Sequence, residues 1–165
     1  MRSSAQLQQD LTRLQGSANQ LQDQMGLWHQ RVAELQADRA GLEDFRLQVQ
    51  SERSYFEQAL ARKRQAAQRA SQVVHSGIAV GMAAMLAGRY GHSFESGVQA
   101  NYNGVFRQIH QALGRIEDEL RQLNANIASA EREASNLKRR IASAQSDYES
   151  ALAREQEQTG RARQR

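Results

Sequence analysis

The 165-residue sequence contains no cysteine and no proline. Without cysteine the chain can form no disulfide, no thiolate metal site and no cysteine nucleophile. The absence of proline favours long uninterrupted helices, because one proline inside a helix costs roughly 3 kcal/mol. Only 5% of the residues are aromatic and 39% are apolar. This composition argues against a thick globular core, whereas the narrow seam of a coiled coil needs no more.

The sequence also lacks a strong excess of one charge sign. Its 22 basic residues are interleaved with 18 acidic ones, which gives a net charge of +4. A local basic excess falls between residues 53 and 69, where Arg53, Arg62, Lys63, Arg64 and Arg69 stand against Glu57. We interpret it as a solvated helix face rather than a phosphate-binding stripe, and expect no nucleic-acid partner. The N-terminus has one positive charge and no apolar run, so no signal peptide is predicted and the expected location is the cytoplasm.

Near the N-terminus, apolar residues recur at alternating steps of four and three. Such spacing is a heptad seam and predicts a supercoiled helix. This first seam consists of Leu7, Leu11, Leu14, Ala18, Leu21, Met25, Trp28, Val32 and Leu35.

The same register continues less regularly beyond residue 35. It meets Arg39 and Arg46, and recovers at Phe56. Gly41, followed by a change of apolar face, predicts a kink or break within residues 38–42. Residues 1–40 would then form an N-terminal heptad segment, either open or folded back as a third helix, and residues 42–88 the first arm of a hairpin.

A second seam occupies the C-terminal half and predicts a second arm over residues 94–155. Residues 156–165 have no large apolar residue and are expected to fray. The second seam consists of Val98, Tyr102, Val105, Ile109, Leu113, Ile116, Leu120, Leu123, Ile127, Ala130, Ala134, Leu137, Ile141, Ala144 and Tyr148.

Between the two seams lies the apolar, glycine-containing stretch 73–94. Its glycines suggest a helix C-terminus and a turn at residues 88–93, and the small residues Gly77, Gly81 and Gly88 suggest close helix packing. A membrane span needs about 20 apolar residues, and Val73–Gly88 is shorter, so no stable membrane insertion is expected. The predicted fold is therefore all-α: a single unit of residues 1–165 forming a long antiparallel helical hairpin, or coiled coil.

No pattern of catalytic or cofactor-binding residues is present in the sequence. Of the four histidines, His29, His75, His92 and His110, only His92 has an acidic residue, Glu95, three or four residues away, and two side chains alone do not make a metal site on a helix. There is also no phosphate-binding loop and no nucleophile elbow. We therefore expect a protein that is not an enzyme and that uses no cofactor or metal.

Leu86, Gly88 and Phe94 resemble the W-x-G turn and downstream phenylalanine of WXG-type helical hairpins exported by type VII secretion systems, with Leu86 in the place of the tryptophan. The longer arms resemble the α-helical partner proteins of LXG toxins. The resemblance implies a targeting or chaperone-like partner that binds the toxin's N-terminal helical domain and is exported with it. The family's Tyr-x-x-x-Asp/Glu export signal is absent, since Leu152 follows Tyr148 at that spacing.

A hairpin bending near Gly88 would pair residues 94–152 with residues 31–88, because both helices rise equally. The stripe between Leu7 and Trp28 would then lie uncovered, and an exposed apolar stripe favours a helical protein partner. The predicted partner-binding residues are Leu7, Leu11, Leu14, Leu21, Met25 and Trp28. An alternative function is a coiled-coil hairpin of another secretion or flagellar export apparatus, which would not explain the apolar bend.

Overall fold

The computed structural model describes residues 3–73, 77, 81, 84 and 88–163. Two long helices, α1 (Ser4–Val73) and α2 (Arg89–Arg163), account for nearly all of them, and these residues contain no strand. The helices run antiparallel, so the predicted all-α helical hairpin is confirmed. Between α1 and α2, Gly77, Gly81 and Ala84 are helical and Gly88 lies in a turn.

The start of α1 is fixed by capping. The Gln6 backbone N donates to Ser3 Oγ at 3.4 Å, and the Ser3 backbone N donates to Gln6 Oε1 at 3.3 Å, which is a capping box. The first turn of α1 carries no acidic residue. Instead Glu155 of α2 accepts from the backbone N and the Oγ of Ser4, at 3.0 and 2.7 Å. The Glu155 carboxylate thereby accepts a hydrogen bond from a backbone N–H that has no partner within α1. It also places a negative charge at the N-terminus of α1, where the helix dipole favours one.

The chain divides into two compact units. The terminal unit comprises Met1–Leu35 and Glu119–Arg165, and the central unit comprises Gln36–Asp118. Each unit pairs part of α1 with part of α2. The sequence had suggested a single unit.

Both predicted seams form the inner faces of the helices. All residues of the first seam and all of the second are buried or half-buried. The apolar side chains that are most deeply buried are Leu7, Leu35, Val49, Ile109, Leu113, Ile127, Ala130 and Leu137. Because a pair of helices encloses only one seam, no described side chain falls below 2% exposure.

The predicted break at residues 38–42 is wrong, and so is the alternative of a third helix, since α1 is continuous through Gly41. Gly41 is exposed, and an added Cβ would meet no other described atom within 4 Å. One glycine costs a helix only about 1 kcal/mol. The seam continues through Leu42 and the buried Val49, so packing against α2 keeps this part of α1 helical.

The predicted turn at residues 88–93 is also wrong beyond Gly88, because α2 begins at Arg89. No described glycine has a positive φ. In the central unit, Arg39 pairs with Glu117 and Arg53 with Asn103, and residue 78 lies midway between the members of each pair. The register of the helices in the central unit therefore differs from the one that a bend near Gly88 would produce.

Two smaller predictions also differ from the structure. Gly77 and Gly81 are exposed, and an added Cβ at either would meet no described atom within 4 Å, so the predicted close helix contact at these glycines is not found. Residues 156–163, expected to fray, are helical, and the side chains of residues 156–161 are exposed. A long helix can continue past its last packed residue when no proline or glycine cap ends it.

Candidate partner-binding surfaces

The six residues predicted to bind a partner lie instead along the protein's own seam in the terminal unit. Leu7 is buried, and Leu11, Leu14, Leu21, Met25 and Trp28 are half-buried. The expectation that this stripe is uncovered is wrong, because α2 runs alongside it. A direct contact between the Arg31 side chain and Glu119, at 2.9 Å, marks one end of this pairing. Binding of a partner by these residues stays a prediction.

Two helices cover the stripe incompletely. One flank of the terminal unit has a groove of about 910 Å³, with Leu7, Leu14, Leu21 and Leu137 among its apolar lining residues. Charged residues also line it, among them Glu133 and Arg140 of α2. The other flank has a smaller groove lined by Met25 and Ile141, among others. The apolar seam is thus accessible from the sides of the helix pair.

The residues of the predicted turn motif are placed as follows. Leu86 lies outside the described residues. Gly88 directly precedes α2, and its backbone N donates to the carbonyl O of Ala84 at 2.9 Å. A Cβ on Gly88 would lie 2.8 Å from that same oxygen, so the tight approach requires glycine. Phe94, on the second turn of α2, is 62% exposed.

The exposed Phe94 belongs to a small aromatic cluster in the central unit. Its ring centroid lies 6.1 Å from that of Phe56, which in turn lies 6.4 Å from that of Tyr102. These separations are typical of tilted aromatic pairs. The cluster joins α1 to α2, and it leaves most of Phe94 in contact with solvent.

A second exposed surface lies on the side of α1 that faces away from α2. Leu47 precedes the buried Val49 by two residues and so points about 200° away from it around the helix. Leu47 is 57% exposed and Tyr55 is 73% exposed. They line one shallow groove, which we call the outer groove, together with Gln50, Ser51, Ser54 and Gln58. None of these six residues is charged, although charged residues make up 24% of the sequence.

Three ion pairs between the described parts of the helices have the arginine on α1 and the glutamate on α2. Arg31, Arg39 and Arg64 of α1 pair with Glu119, Glu117 and Glu95 of α2, respectively. Such pairs set the register of a coiled coil more than its stability, because an exposed pair contributes only about 0–1 kcal/mol.

Two charged groups have shifted pKa values. The pKa of Arg31 is raised, chiefly by its hydrogen bond to Glu119 and then by that to Glu34. The pKa of Glu155 is lowered by the two hydrogen bonds that it accepts from Ser4. The largest cause of each shift is a contact between α1 and α2 in the terminal unit.

The basic stretch 53–69 is partly neutralised. Arg53 donates to Glu57 and Asn103, and Arg64 pairs with Glu95. Within the described ranges, no three His, Asp or Glu side chains gather as metal ligands. Nor does any helix of that part of the chain have a stretch long and apolar enough to cross a membrane.

Comparison of the chain with protein-family models, with curated proteins and with solved structures gave no match. The function is therefore inferred from the surfaces just described. The outer groove was not predicted, because its residues lie outside the heptad seam from which the helix faces were inferred. The signal was present nonetheless: Leu47 and Tyr55 are large residues that lie outside the seam register.

Proposed function

We propose that the protein is a non-enzymatic helical partner protein that binds a helix of another protein on its outer groove. The single observation that carries this proposal is the uncharged groove around Leu47 and Tyr55. The cores of protein interfaces are depleted in charged residues and enriched in aromatic ones. An extended helix pair that exposes such a surface suits the packing of an amphipathic helix along it.

The partner that we propose is the N-terminal helical domain of an LXG-type toxin, with which the protein would be exported by type VII secretion. The support for this choice is the resemblance of Gly88 and Phe94 to the WXG-type turn, together with the long helical arms. Phe94 is exposed in the central unit, as is the outer groove. A hetero-oligomer of two helical proteins is the assembly that follows from this proposal.

The proposal is tested by co-purification with the N-terminal helical domain of an LXG-type toxin. Leu47→Asp and Tyr55→Asp each place a charge in the outer groove, and each should weaken binding at least about tenfold, as expected for a residue central to an interface. Both side chains point to solvent, so circular dichroism should show unchanged helix content.

Leu27→Asp is the matched control. Leu27 is 67% exposed but lies in the terminal unit, outside the outer groove. It should leave binding unchanged. If Leu27→Asp weakens binding as much as Leu47→Asp, or if neither groove variant has an effect, the outer groove is not the binding surface. Failure of the wild-type protein to bind the toxin domain would reject the toxin as the partner.

A further inference from the structure

We infer that the terminal unit pairs with the terminal unit of a second copy of this chain, through the 910 Å³ groove beside its seam. In the resulting four-helix bundle, the α2 helices of the two copies run antiparallel across a two-fold axis near Leu137. This inference is independent of the proposed toxin partner, which concerns the central unit.

The first support is the amount of surface that the chain leaves exposed. Its accessible surface is 13,013 Å², whereas a compact monomer of 18.6 kDa exposes roughly 8,200 Å². A stable interface buries about 800 Å² per partner, so the excess is more than sufficient for a dimer. The groove has the dimensions for it, because the α1 residues that line it, from Leu7 to Gln24, extend for about 26 Å.

The second support is the chemistry of the groove. Leu7, Leu14 and Leu21 line it at seven-residue intervals, and Leu137 and Ala144 line it from α2 at the same interval. An antiparallel helix with the same heptad period fits this spacing, as in four-helix bundles. A second copy of this chain provides such helices, because its own α1 and α2 have the same seven-residue spacing.

The third support is charge complementarity, and it selects a second copy as the occupant. Glu133 and Arg140 lie seven residues apart on α2, both in the groove lining. Neither has an ion pair or side-chain hydrogen bond within the described chain. A two-fold axis between Asn136 and Leu137 places Glu133 of each copy opposite Arg140 of the other. An isologous contact therefore forms two equivalent Glu133–Arg140 ion pairs, one on each side of the axis.

The test is sedimentation equilibrium of the full chain at low salt. The wild-type mass should approach twice 18.6 kDa as concentration rises. Glu133→Arg and Arg140→Glu should each weaken the dimer about tenfold, because each single variant places like charges opposite one another at two symmetric contacts. The double variant E133R/R140E should restore dimerisation, because it recreates both attractive pairs with the charges exchanged.

Glu131→Arg makes the same charge change at an exposed residue outside the groove lining, and it should leave the dimer unchanged. Circular dichroism should show equal helix content for all four variants. A monomeric wild type at every concentration would overturn the inference, as would a double variant no stronger than the single ones. A dimer that responds equally to Glu131→Arg and Glu133→Arg would also overturn it.

Discussion

The terminal and central units pair the same two helices by different means. In the terminal unit, the α1 seam from Leu7 to Leu35 is apolar at every step, and five of the eight most buried residues of the described chain lie in this unit. In the central unit, the corresponding seam positions include Arg39, Arg46 and Arg53 at seven-residue intervals.

The central unit compensates for these arginines with specific contacts. Arg39 pairs with Glu117, Arg53 donates to Asn103, and the Phe56 ring packs near Phe94 and Tyr102. Among the described residues, it also exposes four large apolar side chains, Phe45, Leu47, Tyr55 and Phe94, whereas the terminal unit exposes one, Leu27. The comparison teaches that a heptad seam need not be uniformly apolar, and that the unit with the weaker seam presents the more apolar outer surface.

The largest expected effect on stability comes from placing an arginine, as found in the central seam, at an apolar seam position of the terminal unit. Leu21→Arg places a charge in the apolar seam beside Leu14 and Leu137. The free energy of unfolding should fall by about 2–3 kcal/mol, because apolar contacts are lost and a charge is partly desolvated. Urea denaturation followed by circular dichroism measures this change.

The reciprocal change and a control complete this test. Arg46 has no ion pair within the described chain and lines a groove with Phe106, so Arg46→Leu should stabilise the central unit by about 0.5–1 kcal/mol. Leu27→Arg, at a side chain that is already exposed, should change stability by less than about 0.5 kcal/mol. If Leu27→Arg and Leu21→Arg have equal effects, Leu21 does not belong to the core.

A smaller effect is expected from two glycines of the central unit. Gly88→Ala should destabilise the protein by about 1–2 kcal/mol, because its Cβ would lie 2.8 Å from the Ala84 carbonyl O. Gly41→Ala should stabilise it by about 1 kcal/mol, because α1 is helical there and has open space for the methyl group. Thermal melting distinguishes the two signs. A loss of stability in Gly41→Ala would mean that α1 bends at this point.

The smallest effect concerns the contact of Glu155 with the start of α1. Because the folded-state pKa of Glu155 lies below its ordinary value of 4.5, the contact contributes stability above that pH and loses it as pH falls through the lowered pKa. Glu155→Gln should therefore reduce amide-exchange protection at Ser4 near neutral pH. The difference from the wild type should disappear in acid. A difference that persists in acid would show that the carboxylate charge is not responsible.

Much of the fold was predictable from local pattern. The spacing of Leu7 to Leu35, and of Val98 to Tyr148, identified the inner faces of both helices, because an apolar residue every three to four positions lies on one side of a helix. The exposed helical tail and the continuous path through Gly41 were not predicted. At Gly41 the deciding factor was the packing of neighbouring seam residues against α2, which outweighs the low helix propensity of one glycine.

The spacing of apolar residues is sufficient to predict two long helices and the side of each that faces inward. The register in which the two helices pair follows only from their packing against each other. A heptad seam looks the same after a shift of seven residues, so periodicity cannot choose among registers. The choice depends on contacts between distant residues, such as Ser4 with Glu155 and Arg31 with Glu119. That register covers the Leu7–Trp28 stripe with the protein's own α2.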